Sequence, residues 1–190
     1  MTGERESLLR EARQGRLDTA AALRLFDSLP AVAVADMTVI WRGEGLHSGH
    51  PLDGVLERFN WFGKEFRSPE EAFPLLFPNG AGRPVAVDPR FLPFDLALRL
   101  GLARSDLAAR AFPVLRWLAR TRRPSARLRM MEERGVVTAT MIYDHLPICD
   151  LFRRLDADSV MGLMDYRGFD RPFFFALRRH TPRALGGKAG

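Results

Sequence analysis

Four short runs in the last third of the chain, Arg127–Glu133, Val136–Tyr143, Ser159–Tyr166 and Phe173–Arg178, constrain the fold more than any other feature. Each has strand length, and turn signals separate two of the three gaps: Glu-Arg-Gly at 133–135 and Arg-Gly at 167–168. The first pair reads as a hairpin around Gly135. Within Val136–Tyr143, Val137, Ala139, Met141 and Tyr143 are apolar, while Val136, Thr138, Thr140 and Ile142 form a mixed face. Several antiparallel strands so closely spaced predict a curled sheet or barrel, in which closure removes exposed edges. The middle gap, from Tyr143 to Asp156, is too polar and too long for a tight turn. Asp144 and Asp150 are read there as caps of a short turn at Leu146–Phe152, pairing with Arg153 or Arg154.

The earlier chain fits the same architecture with helices added. Residues 4–29 read as two helices, with Leu8, Leu9 and Ala12 on one face, a break at Gly15 and Asp18 as the second N-cap. Met37, Val39 and Trp41 alternate with polar or mixed neighbours as a half-buried strand. Leu52, Val55, Leu56 and Phe59 share one side of a short helix, and Trp61–Phe66 is strand-like again. Six prolines between Ser68 and Pro93 prevent long helices and suit short strands joined by turns. From 94 to 120 an apolar period near 3.6 returns through Leu96, Leu100, Leu107, Ala111, Val114, Leu115 and Leu118. Ser105 is its N-cap, and Pro113 is expected to kink or split it.

These elements predict a helical lead over 1–30, one barrel domain over 31–182 and a disordered tail over 183–190. The barrel divides into halves at 31–93 and 125–182, with a helical, Arg-rich insertion at 94–124.

Charge and composition narrow the partners. Between Arg104 and Arg134 nine arginines face three acids, which accounts for the whole net charge of +6. That face can meet an anionic partner or simply be solvated. Only Phe112 and Trp117 interleave with it, too few aromatics for a nucleic-acid surface. No apolar run of about 18 residues predicts a membrane-spanning helix. The charged N-terminus lacks the apolar segment of a secretory signal, and Cys149 is the only cysteine, so a cytoplasmic location is expected. Oligomeric state is left open.

The stretch Trp41–Lys64 concentrates two tryptophans, two histidines, five glycines and one of only two lysines. His47 and His50 have metal-ligand spacing on a helix, but Gly49 and Pro51 oppose helix, and turn capping is the better reading. Lys64 either lies on a solvated strand or reaches into a pocket to pair with a carboxylate, a ligand's or that of Asp53. Tyr143, Asp144, His145 and Asp150 form the densest titratable set, suited to acid–base work if burial shifts a pKa. No phosphate loop, Ser-His-Asp order or CxxC pair occurs, so neither a cofactor nor a metal is expected.

Residues 37–77, MTVIWRGEGLHSGHPLDGVLERFNWFGKEFRSPEEAFPLLF, resemble the GXWXG domain. They carry W-x-G, S-G-H, L-D-G, W-F-G-K-x-F and P-L in the family's order. Residues 137–168 and the later FFFALRR resemble the C-terminal domain of unknown function that accompanies it, through A-T-M-x-Y-D, P-I-x-D-x-F-R and G-L-M-D. The first glycine of the name motif is Val39 here, so any close approach to Trp41 that this glycine permits is altered. The resemblance implies a domain more than an activity, and by fold-level analogy a lipocalin-like, calycin-type barrel.

The combined expectation is a mainly antiparallel β-barrel with N-terminal helices and a helical insertion. It would be a binding protein for a small hydrophobic molecule, lipid-like or aromatic and acid-bearing. Trp41, Trp61, Phe66, Met141 and Tyr143 supply apolar contact, and Lys64, His50 or an arginine meets the polar end. The alternative is a cyclase, isomerase or lyase that uses the barrel as a reaction chamber, with Asp144, Tyr143, His50 and Asp150 as its acid–base set.

Overall fold

The computed structural model describes residues 17–92 and 105–181, with isolated positions at 7, 10, 11, 14 and 15. The helix face of Leu8, Leu9 and Ala12, the start of the 94–120 segment and the 183–190 tail lie outside the described residues. Four α-helices are described: α1 (Thr19–Asp27), α2 (Val34–Met37), α3 (Val55–Arg58) and α4 (Asp106–Leu118). The strands are β1 (Ile40–Leu46), β2 (Gly63–Ser68), β3 (Glu71–Pro78), β4 (Pro84–Ala86) and β5 (Ala126–Glu133). They continue as β6 (Val136–Tyr143), β7 (Ile148–Arg154), β8 (Ser159–Tyr166) and β9 (Phe173–Arg179).

The strand order is β2-β1-β9-β8-β7-β6-β5-β3-β4, and a further β2–β3 pairing closes all but β4 into an eight-stranded antiparallel barrel. The barrel anticipated from strand spacing is therefore present, and both halves of the chain contribute to its wall. Its thinnest seam is β3–β5, where only Ala72 and Ala126 are in register.

Side-chain alternation explains where the core sits. Along β9, Phe173, Phe175 and Leu177 point into the barrel, while Phe174 and Ala176 point out. The outward set is covered by Ala22, Leu25 and Phe26 of α1, together with Leu151, Met161 and Leu163 of neighbouring strands. Both faces are buried, so FFFAL reads as a continuous apolar run. Each buried phenylalanine contributes about 1.5–3 kcal/mol of transfer free energy. The N-cap of α1 is Asp18, whose carboxylate accepts the Ala21 N–H at 2.7 Å.

Two glycines are required by the wall. Gly63 has φ +145°, and a Cβ there would stand 2.0 Å from the Trp41 carbonyl oxygen. A Cβ on Gly43 would meet the Trp61 ring at 2.1 Å, so the second glycine of the name motif makes room for that indole. The Glu133–Val136 hairpin turns through Arg134 and Gly135, both at positive φ, as its tight two-residue loop demands.

The structure corrects four readings. Ile148–Arg154 is a full strand, β7, where a capped turn was expected; its polar residues face other buried groups, which hid the alternation. Met37 belongs to α2, and the first strand begins at Ile40; the Trp41 indole holds the helix end by donating to the Met37 carbonyl at 2.8 Å. Helix α4 starts at the Ser105 cap as expected but runs unbroken through Pro113. Its apolar period faces the core only in part: Leu107, Val114 and Leu118 are exposed, Leu115 is half-buried against the core, and the buried residue of the helix is Phe112, against Phe59 and Phe77.

Candidate functional site

Alternation along β2 places Lys64 and Phe66 inside the barrel, and alternation along β7 does the same for Ile148, Asp150 and Phe152. Closure then brings Lys64 Nζ to 2.8 Å from Asp150 Oδ2, with the two side chains 4% and 0% exposed. The same ammonium donates to the Pro74 carbonyl at 3.3 Å. It lies over three aromatic rings, 4.9 Å from the centre of Phe175, 5.4 Å from Trp61 and 5.8 Å from Tyr143.

Asp150 pairs in register with Met141 on β6 and Met164 on β8, so its flanks are apolar. Burial pushes its carboxyl above the usual carboxylate range, and the Lys64 charge pulls it back only in part. Its Oδ1 has no hydrogen-bond partner among the described residues. Burial, and then the Asp150 charge, raise the Tyr143 phenol well above its ordinary value, so it stays protonated.

Beside this pair is a cavity of about 340 Å³, towards the small end of the roughly 300–1,000 Å³ typical of small-molecule sites. Trp61, Lys64, Leu75, Tyr143, Met164 and Phe175 line it within the barrel, and Leu52, Val55 and Leu56 close it from the α3 side. Tyr166, Ile148, Leu146, Phe173, Pro89, Leu92 and Arg90 complete the wall. Arg90 is half-exposed and held by Asp88 at 2.7 Å. The polar groups of the lining are therefore few: the Lys64 ammonium, two tyrosines, an indole and a rim guanidinium, with Asp150 paired to Lys64 but outside the lining.

Of the residues singled out from sequence, the structure brings together Trp61, Lys64, Tyr143 and Asp150. Trp41, Phe66 and Met141 are buried in the barrel core but do not line the cavity. His50 lies outside the lining, edge-on to Phe169 at 4.7 Å, and its Nδ1 accepts the Leu52 N–H. Burial lowers its pKa to about 4, against the opposing pull of the Asp53 charge. Asp144 is exposed and lies 3.8 Å from Arg127, and His145 is exposed as well.

The expected carboxylate pairings are also corrected. Asp53 does not meet Lys64; its Oδ2 accepts the successive N–H groups of Ser48, Gly49 and His50, stitching the L-D-G motif to S-G-H. Asp150 meets neither Arg153 nor Arg154, and Arg154 instead pairs with Asp36. In the Arg-rich segment, Arg127, Arg129 and Arg134 face Asp144, Glu70 and Asp27. Sequence reasoning missed Met164, Tyr166, Phe173 and Phe175, although their parity along β8 and β9 carried the signal.

Among the described residues, no group of three or more His, Cys, Asp or Glu side chains is placed to hold a metal. Among the same residues, no helix is long and apolar enough to cross a membrane.

A closed antiparallel barrel around an apolar chamber, with W-x-G on its first strand, defines the class. Residues 24–82 match the family described as GXWXG protein, and residues 124–179 match the domain of unknown function DUF4334. The chain belongs to the family that joins these two domains. A crystal structure of a protein from Thermomonospora curvata is 31% identical, with a TM-score of 0.66 over 93% of this chain and 98% of that one. No curated protein matches the chain.

Proposed function

We propose that this protein binds one small hydrophobic molecule, lipid-like or aromatic, inside the barrel, with the molecule's polar end at Lys64. The observation that carries this reading is the carbon-lined cavity of about 340 Å³ with Lys64 in its wall, the ammonium held from behind by Asp150. A chamber of this kind binds through apolar burial and is oriented by its few polar groups. An acid end, expected from the sequence, is received at Lys64 only if Asp150 takes up a proton. A neutral polar end needs no such uptake.

Native mass spectrometry of protein purified from its host, with displacement of an aromatic dye by fatty acids and aromatic alcohols, tests the reading. We expect a bound species or displacement at micromolar concentration, lost in Leu146→Trp, which fills the chamber from its margin. No co-purified molecule, together with no binding of dye, fatty acid or alcohol, would overturn it.

The enzyme reading is favoured by one feature: a buried carboxyl of raised pKa beside a protonated phenol at the chamber wall. Tyr143 and Lys64 in the wall, with Asp150 paired to Lys64, would form its acid–base set, whereas Asp144 faces Arg127 and His50 Nδ1 accepts from its own loop. A substrate screen comparing wild type with Asp150→Asn and Tyr143→Phe separates the two readings. Equal turnover in all three would remove the catalytic assignment.

A further inference from the structure

We propose that Lys64 holds its ligand covalently, its amine condensing with the carbonyl of an apolar aldehyde or ketone seated in the chamber. This rests on the binding reading above and names the ligand's polar group.

Composition is the first support. The chain's cations are 27 arginines and two lysines, and one of those lysines is the residue whose ammonium lines the cavity. An arginine would serve as well for a buried ion pair, but a guanidinium does not deprotonate or form an imine, whereas an amine does both.

Charge balance is the second. Lys64 already has a counter-ion at 2.8 Å, so the chamber offers an incoming carboxylate no net positive charge. A neutral carbonyl creates no such conflict. Surrounding rings at 4.9–5.8 Å favour a delocalised iminium over a hydrated ammonium.

The proton inventory is the third. Among the described residues, Asp150 is the one carboxylate in ion-pair contact with the ammonium, at 2.8 Å. The 2.8 Å contact lets the Asp150 carboxylate take a proton from the Lys64 nitrogen as a carbonyl arrives, and burial favours the protonated carboxyl.

The steps balance without any further reagent. The Lys64 nitrogen lone pair attacks the carbonyl carbon, and after a proton shift from nitrogen to oxygen a neutral carbinolamine stands in the chamber. Asp150 then returns its proton to the carbinolamine oxygen, the C–O bond breaks, and water leaves. The product is a protonated imine with the Asp150 carboxylate as its counter-ion, so the pair's net charge is unchanged. The reverse sequence releases the ligand.

The test treats the full chain with equimolar cinnamaldehyde or decanal and sodium cyanoborohydride near pH 7, followed by intact mass and peptide mapping. We expect one reduced adduct per chain, at Lys64 in at least tenfold preference over Lys188 and the N-terminal amine. Cinnamaldehyde, without the reductant, should also show a red-shifted absorption band on binding. Lys188→Arg should keep the adduct, and the folded double variant Lys64→Met/Asp150→Leu should lose it. Asp150→Asn, which keeps the amine and removes the proton acceptor, should slow trapping by at least tenfold. Absence of an adduct, or adducts only at Lys188 and the N-terminus, overturns the proposal. Dye displacement by the matching alcohols distinguishes the two readings. Displacement without a Lys64 adduct removes the imine and leaves binding; neither result removes both.

Discussion

Strand β7 carries two buried charges on opposite faces, and their surroundings differ. Asp150 points inward, pairs with Lys64 and stands beside a cavity. Arg153 points outward beneath α1, 1% exposed, with its guanidinium 5.3 Å from the Phe26 ring. One of its terminal nitrogens donates to the Glu133 carbonyl at 3.5 Å, its Nε has no hydrogen-bond partner among the described residues, and burial lowers its pKa. The inner charge is matched by a lysine that lines open volume; the outer one has a single long hydrogen bond and faces packed side chains. A charge kept beside a cavity with a dedicated counter-ion has somewhere to act, whereas Arg153 seals a helix against a sheet by its stem as much as by its charge.

Mutations on the two faces should therefore diverge. The largest effect is expected from Lys64→Met, which strands the Asp150 carboxylate. Urea unfolding should show a loss of about 3–5 kcal/mol, mostly recovered by adding Asp150→Leu. A full loss in the double variant would mean that the pair is not the source of the cost.

The next test uses pH. His50 has a folded pKa of about 4 against an ordinary value of 6.5, so the unfolded chain binds the extra proton first. Its contribution is complete above pH 6.5 and fades as pH falls towards 4, by up to about 3 kcal/mol. Denaturation midpoints measured across that window should fall in wild type and flatten in His50→Asn.

Gly43→Ala should cost about 1–3 kcal/mol, since a Cβ would meet the Trp61 ring. Because Trp61 lines the cavity, dye affinity should fall with it, a coupling no outer-face variant should share. On that outer face, Arg153→Met should be near neutral, within about 1 kcal/mol, and leave dye binding unchanged. Smallest is Arg134→Gln, which removes a bidentate but exposed pair with Asp27 and should cost less than about 1 kcal/mol.

Legibility varied along the chain for physical reasons. The β5–β6 hairpin was readable because its turn chemistry and alternation are local. Strand β7 was not, because Asp150 and Arg153 made a strand buried on both faces look polar. The stripe of α4 misled in the other direction, since its period is regular although Leu107, Val114 and Leu118 face outward. Within the candidate site, Trp61, Lys64 and Tyr143 could be named from residue type. Met164, Tyr166, Phe173 and Phe175 needed the knowledge of which strand face turns inward.

Sequence alone determined the elements whose causes lie within a few residues: strand periodicity, the Gly135 turn, the Asp18 and Ser105 caps, and the family motifs. Only the tertiary structure decided which carboxylate Lys64 meets. Asp53 is nearer in sequence, yet its carboxylate is taken by three backbone N–H groups of its own loop. Asp150 lies far along the chain, and barrel closure sets its carboxylate against the amine. Backbone hydrogen bonds form locally wherever they can, whereas a buried charge takes the partner that the closed fold leaves within reach.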